Sequence, residues 1–177
     1  MADRKRYLID TDVFAHIRLR QDSDRIYNEI AKAVHGGWVR TVKQVPDELK
    51  KWPTVHARIK PLCKKMIVPA KEQFCAEVKA MNQIVQNNAP FLFQQVGGKN
   101  PDPADPWLIA VAKVHGYILV TNEKASSTAR IPAVCKMPAI GCLCINGAYF
   151  LLETGIVKDI EFSEVSASAF FGYGQGA

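Results

Sequence analysis

Two short, unbroken apolar runs, each closing on carboxylates, constrain this chain more than anything else in it. The first is "YLIDTD", residues 7–12, and the second is "YILVTNE", residues 117–123. Continuous rather than alternating apolar order marks strands buried on both faces, which is the habit of a parallel sheet. Strands are therefore predicted over Lys5–Asp10 and over residues 117–121. Ending a buried strand on charge is costly, so the acids that close these runs need a reason to be there.

The segments between and around the strands read mainly as helices. Asp12 suits the N-cap of a short helix. Asp22–Gly37 carries Ile26, Ile30, Ala33 and Val34 at helical spacing and stops at a glycine pair. "WVRTV" is a short strand. "VPDELKKW" is a helical turn opened by Pro46, and "TVHARIKPLCKK" continues helical until Pro61 interrupts it. "AKEQFCAEVKAMNQIVQNN" reads as one amphipathic helix ending near Pro90. "QQVGGKNPDPADP" is a long Gly/Pro-rich loop. It leads into a helix capped by Asp105, with Pro106 at its first position and Gly116 at its end. "IPAVCKM" is a short helix, "CLCI" a short strand and "GAYFLLETG" a closing helix. The tail "SASAFFGYGQGA" reads as mobile. Alternating strands and helices imply an α/β chain whose mainly parallel central sheet is covered on both faces. One domain over 1–155 with a C-terminal extension over 156–177 follows, and ligands of such sheets bind beyond the carboxyl ends of the strands.

Composition narrows the class. With 177 residues and 48% of them apolar, the chain is long enough for one sizeable core and too apolar for a disordered protein. No apolar run approaches the roughly 20 residues of a membrane span, and the N-terminus enters a strand without a signal-peptide core. A cytoplasmic, membrane-free protein is expected. The five cysteines read as buried thiols, because "CLC" is too tight for zinc-ligand spacing and the region offers no histidine to complete a site. His16, His35, His56 and His115 are dispersed and suit structural roles. The net charge of +6 favours a polyanionic partner. Basic residues concentrate at Lys50, Lys51, Arg58, Lys60, Lys64, Lys65 and Lys71, a stretch without a single acid. Such a run is either a solvated helical face or a track for phosphates.

Asp10, Glu48, Asp105 and Glu123 are the candidate chemical groups. Taken singly, each has an ordinary explanation as a cap, a first-turn acid or a loop residue. Jointly, Asp10 and Glu123 end buried strands on one edge of the sheet, and Asp105 opens the helix that feeds the second strand. Val45, Leu49 and Trp52 form an apolar helix face. Glu48 lies on the flank of that face, whereas Asp47 points away from it. Four acids in one crevice repel one another unless they are protonated or share a cation. Oxygen ligands without His or Cys select Mg²⁺ or Mn²⁺. Trp52 either joins the core or stacks on a base, and its register with Val45 and Leu49 favours the core.

A rival reading takes "LIDTDVF" as the motif of haloacid-dehalogenase-like phosphatases, with Asp10 as nucleophile and Asp12 as proton donor. Such enzymes also need a downstream lysine at a strand edge and a later acidic pair. Lys113 lies mid-helix, and no acidic pair follows "YILVTNE". Walker spacing, a GxGxxG turn and a serine nucleophile elbow are all absent from the sequence.

Together "YLIDTDVF", "VPDELKKW" and "DPWLIAVAKVHGYILVTNE" resemble a PIN domain, the metal-dependent nuclease fold that includes many bacterial toxins. "DPWLIA", "VTNEKASS", "IPAVC" and "CLCIN" are closest to a branch of short prokaryotic PIN-like proteins known only as a domain of unknown function. The likeness covers about residues 6–155. It implies a three-layer α/β/α fold, with Asp10, Glu48, Asp105 and Glu123 as ligands of Mg²⁺ or Mn²⁺. Thr121 matches the hydroxyl residue that precedes the last acid by two; Asp12 and Asp102 stand as accessory candidates. Asn122 departs from the branch, where a second acid is common. The activity implied is metal-dependent hydrolysis of RNA phosphodiesters by an endoribonuclease, the toxin of a toxin–antitoxin pair. The Lys50–Lys65 stretch would then track the RNA backbone. The implied partners are an RNA substrate and a protein antitoxin, with a homodimer left open. A non-catalytic nucleic-acid-binding module with vestigial acids is the third reading.

Overall fold

A computed structural model describes residues 5–93, 102–124 and 127–158, together with the backbone of residues 170–171. The chain is a three-layer α/β/α fold around a sheet ordered β2-β1-β3-β4-β5. Its strands are β1 (Tyr7–Ile9), β2 (Val39–Arg40), β3 (Ile118–Val120), β4 (Cys144–Ile145) and β5 (Phe170–Phe171). The first four run parallel, and β5 pairs antiparallel with β4. Every residue of β1 and β3 is buried, as continuous apolar runs require.

The helices are α1 (Thr11–Ile17), α2 (Ser23–His35), α3 (Gln44–Glu48), α4 (Pro53–Ile59), α5 (Cys63–Met66), α6 (Ala70–Gln73), α7 (Ala76–Asn88), α8 (Ala104–His115), α9 (Ile131–Cys135) and α10 (Gly147–Glu153). The β1-to-β2 connection travels one way along the sheet, whereas those from β2 to β3 and from β3 to β4 travel the other way. Right-handed crossovers therefore put α1 and α2 on one face and α8 and α9 on the other. Travel reverses between β1 and β3, and in open α/β sheets the ligand crevice lies at such a point, beyond the carboxyl ends of the strands. Tyr7 anchors β1 against the last helix: its ring lies 5.0 Å from that of Phe150, and its hydroxyl donates to Glu153 Oε2 at 2.8 Å.

Several local expectations need correction. The N-cap of α1 is Asp10, not Asp12: Asp10 is extended (φ −79, ψ 161) and its Oδ1 accepts from Thr11 N at 2.5 Å. Asp12 sits in the first turn. Likewise α8 begins at Ala104 with Pro103 in the cap position, so Asp105 is its second residue and Pro106 its third. Proline is tolerated there because the first four helical N–H groups lack intrahelical acceptors. The helix α3 starts at Gln44, two residues before Pro46, for the same reason.

The amphipathic stretch after Pro69 is two helices rather than one. Phe74 (φ −113) and extended Cys75 (ψ 166) separate α6 from α7. The break lets buried Gln73 turn inward, where its Oε1 accepts from Lys43 N at 3.0 Å and its Nε2 donates to Gln44 Oε1 at 2.8 Å. In the tail, Phe170 and Phe171 form β5 against Ile145 and Cys144, so this part is paired rather than loose. The rest of the tail and residues 94–101 of the long loop lie outside the described residues. Gly116 ends α8 in the left-handed region at φ 67, and α4 and α5 flank Pro61 as expected. Cys135, Cys142 and Cys144 are buried, and Cys63 and Cys75 half-buried.

Fully buried Thr41 ties the end of β1 to β2, its hydroxyl donating to Ile9 O at 2.6 Å. Thr41→Val keeps the shape and removes the donor. The expected loss is about 1–2 kcal/mol of unfolding free energy, read from urea midpoints at unchanged m.

Candidate functional site

The crevice between β1 and β3 gathers acids from four segments. Asp10 leaves the end of β1 with only 4% of its surface exposed. Thr11 N binds its Oδ1, and Thr121 Oγ1 donates to its Oδ2 at 2.8 Å. A hydroxyl has one proton, so Thr121 is committed to Asp10. The same oxygen accepts from Glu123 N at 3.2 Å and lies 3.4 Å from both Asp12 carboxylate oxygens. Asp12 is held by Asn122 N at 3.0 Å from each of its oxygens.

Glu48 fastens three elements. From the end of α3, its Oε2 accepts from Thr11 Oγ1 at 2.5 Å and its Oε1 accepts from Ala104 N at 3.0 Å. It thus serves one of the unpaired donors at the start of α8. Because Glu48 supplies that acceptor, Asp105 is not needed as a cap. Among the described residues Asp105 accepts no hydrogen bond. Glu123 follows β3 and is pinned at both oxygens: Ile131 N donates to Oε2 at 2.8 Å, and Arg130 Nη1 to Oε1 at 3.0 Å.

Asp10, Asp12, Asp105 and Glu123 are all shifted in the same direction. Burial pushes Asp10 well above the usual aspartate range, and the charges of Asp12, Asp105 and Glu123 push it further. Burial also raises Asp12, against the opposing N–H of Asn122. Asp105 is pushed up to about 7, first by burial and then by Glu123, Glu48 and Asp12. Burial raises Glu123 too, opposed by the Ile131 N–H and Arg130.

The donor set is chemically that of a hard divalent cation, all carboxylate and hydroxyl oxygen. Its orientation is set by protein donors instead. Glu48 is turned to Ala104 and Thr11, Glu123 to Ile131 and Arg130, and Asp12 to Asn122. As they stand, no three His, Cys, Asp or Glu side chains among the described residues are disposed to hold an ion. Asp102 accepts from Gln44 Nε2 at 2.7 Å and from Trp107 Nε1 at 2.6 Å.

The basic candidates all lie exposed on the segment that follows Glu48: Lys50 and Lys51 on a 3₁₀ turn, Arg58 on α4, Lys60 just after it, and Lys64 and Lys65 on α5. Lys50 answers Asp47 at 2.6 Å and Arg58 answers Asp24 at 2.5 Å. Lys60, Lys64 and Lys65 make no ion pair among the described residues. Trp52 is half-buried against the core, with Lys51 Nζ 4.4 Å from its ring centroid.

Two participants, Thr11 and Arg130, escaped the sequence reading. Thr11 was hidden inside the acidic motif. Arg130 precedes the "IP" start of α9. Asn122 is explained by Gly147: Asn122 Oδ1 accepts from Gly147 N at 2.9 Å, and a Cβ at Gly147 would lie 2.7 Å from that oxygen. The Asn122 amide thus joins the exit of β3 to the start of α10.

The family model "Domain of unknown function (DUF4411)" matches residues 7–156, most of the chain. The protein is a member of the DUF4411 family. No curated protein matches it. The match spans every acid of the DUF4411 crevice. Among the described residues, no helix is long and apolar enough to cross a membrane.

The raised carboxylates fix a sign. A folded state whose acids hold protons more tightly than the unfolded chain loses stability as pH rises, from the unfolded value near 4 through about 7 for Asp105. Melting temperature in metal-free buffer should fall between pH 5 and pH 8. Asp105→Asn should flatten that fall and melt a few degrees above the parent at pH 8, where roughly 1 kcal/mol moves melting by about 2–4 °C. Differential scanning fluorimetry across pH measures it.

Proposed function

We propose that this DUF4411 domain is a metal-dependent nuclease of the PIN type that hydrolyses RNA phosphodiesters, and that it acts as the toxin of a toxin–antitoxin pair. One observation carries the chemistry: at the switch point of the sheet Asp10, Asp105 and Glu123, from three separate segments, are pushed up by burial and by the charge of neighbouring carboxylates, Glu48 adding its charge to Asp105. Mutual repulsion of that kind is relieved by a divalent cation. The alternation of strands and helices, the strand order and the motifs "YLIDTDVF" and "DPWLIA" support the PIN reading. The preference for RNA and the toxin role come from the family likeness alone.

In this reading Asp10, Glu48, Asp105 and Glu123 hold Mg²⁺ or Mn²⁺. The bound ion supplies Lewis-acid polarisation of the phosphoryl group and a water of lowered pKa. Thr121 keeps Asp10 aimed into the crevice. Asp12, gripped by the Asn122 N–H, contributes negative charge beside it. Glu48 also fixes the first turn of α8 and hence Asp105. Lys60, Lys64 and Lys65 meet the backbone phosphates of the substrate. Cytoplasmic location and a small antitoxin protein as partner belong to the same proposal.

The phosphatase reading is less well supported. Asp12 has both oxygens against the Asn122 N–H, and Lys113 is exposed and donates to Gly141 O at 3.0 Å. Structured RNAs incubated with the purified protein and Mn²⁺ should be cleaved, and excess chelator should stop the cleavage. Asp10→Asn should reduce the rate by about 10²-fold or more. Cleavage that survives both treatments would overturn the mechanism. Metal-independent RNA binding without cleavage would favour the non-catalytic module instead.

A further inference from the structure

We infer that Arg130 is the phosphate-binding residue of the acidic crevice, exchanging its bond to Glu123 for a substrate phosphate. The inference rests on the hydrolytic reading above and deepens it by one residue. Arg130 stands immediately before α9 with extended backbone (φ −136, ψ 160). Its guanidinium reaches back to Glu123 Oε1 at 3.0 Å.

The two bonds to Glu123 are of different kinds. Ile131 N holds Oε2 through the main chain, so Glu123 stays aimed when Arg130 leaves. The Arg130 side chain is 57% exposed against 14% for Glu123, which puts the guanidinium on the rim and the carboxylate inside. An ion pair with one arm in solvent contributes little to stability, so releasing it costs little. A cation taking up Glu123 Oε1 would repel the guanidinium from the place it now occupies.

What arrives next to such a crevice is a polyanion. Its phosphates meet a concentration of negative charge and need a positive group at the mouth to approach closely. Arg130 is placed for this, since its charge is felt by both Glu123 and Asp105. Its planar fork of donors matches two phosphate oxygens at once, which a lysine ammonium does not. The lysines after Glu48 can follow the nucleic-acid backbone as point charges; Arg130 fixes the phosphate beside the acids.

The competing explanation is a purely structural counter-ion for Glu123, and the two can be separated in the full chain. A fluorescent single-stranded RNA oligonucleotide is titrated by anisotropy in Ca²⁺ over a range of salt, for the parent, Arg130→Gln and Arg130→Lys. Mn²⁺ binding is followed in parallel by calorimetry. Arg130→Gln should bind Mn²⁺ at least as well as the parent. It should bind RNA about tenfold more weakly, with a log–log salt slope shallower by about 0.7. Arg130→Lys should restore the slope and only part of the affinity. Unchanged RNA affinity and slope in Arg130→Gln would overturn the inference alone, as would loss of Mn²⁺ binding in that variant. A parent protein that binds no RNA at any salt would remove the hydrolytic reading, and this inference with it.

Discussion

The rest of the molecule is organised around the burial of one carboxylate, Asp10, at the end of β1. Taking a charged group out of water is costly unless hydrogen bonds and opposite charge compensate. Asp10 receives one bond from its own helix, at Thr11 N, and one from the neighbouring strand's exit, at Thr121 Oγ1. The second donor is in reach only because β1 and β3 are adjacent and parallel, so the fold and the carboxylate's setting are one arrangement. The compensation is incomplete, because Asp12, Asp105 and Glu123 add further negative charge. An acid crevice that the protein leaves partly uncompensated is where perturbed groups of functional sites are found.

Glu48 is the second organising contact. It joins the first turn of α1, through the Thr11 hydroxyl, to the first turn of α8, through Ala104 N. That clip explains why Asp105 sits inside the helix rather than capping it. Once another chain segment supplies the acceptor for the helix start, the aspartate there is available to the crevice. Asp102 accepts from Gln44 and Trp107, and Gln44 is bound in turn by buried Gln73. This polar chain ties α3, the α6 break and the entrance to α8 together.

Much of the architecture was legible in the sequence because buried parallel strands leave an unmistakable signature. "YLI" and "ILV" can be little else, and the alternation of strands with helices fixes the layers. The acids that end those strands were legible for the same reason: the sheet edge they share follows from direction alone. What was not legible depended on partners distant in sequence. Asp12 looked like the cap of α1 because its type suits a cap, but Asp10 already stood in the extended conformation that capping requires. Asp105 looked like a cap because nothing local reveals Glu48 as the acceptor. The continuous helix after Pro69 was a reading of apolar spacing, and it failed where a buried glutamine needed a break in the backbone. Arg130 was missed because its neighbour in space, Glu123, is reached across a loop.

A divalent cation entering the crevice would displace the proton that Asp105, pushed up to about 7, retains near neutral pH. Isothermal titration of Mn²⁺ near pH 7, in buffers of different ionisation enthalpy, measures that displacement directly. The binding heats should depend on the buffer, showing proton release that shrinks as the pH is raised to 8. Binding heats that are the same in every buffer, or no binding at all, would contradict that displacement.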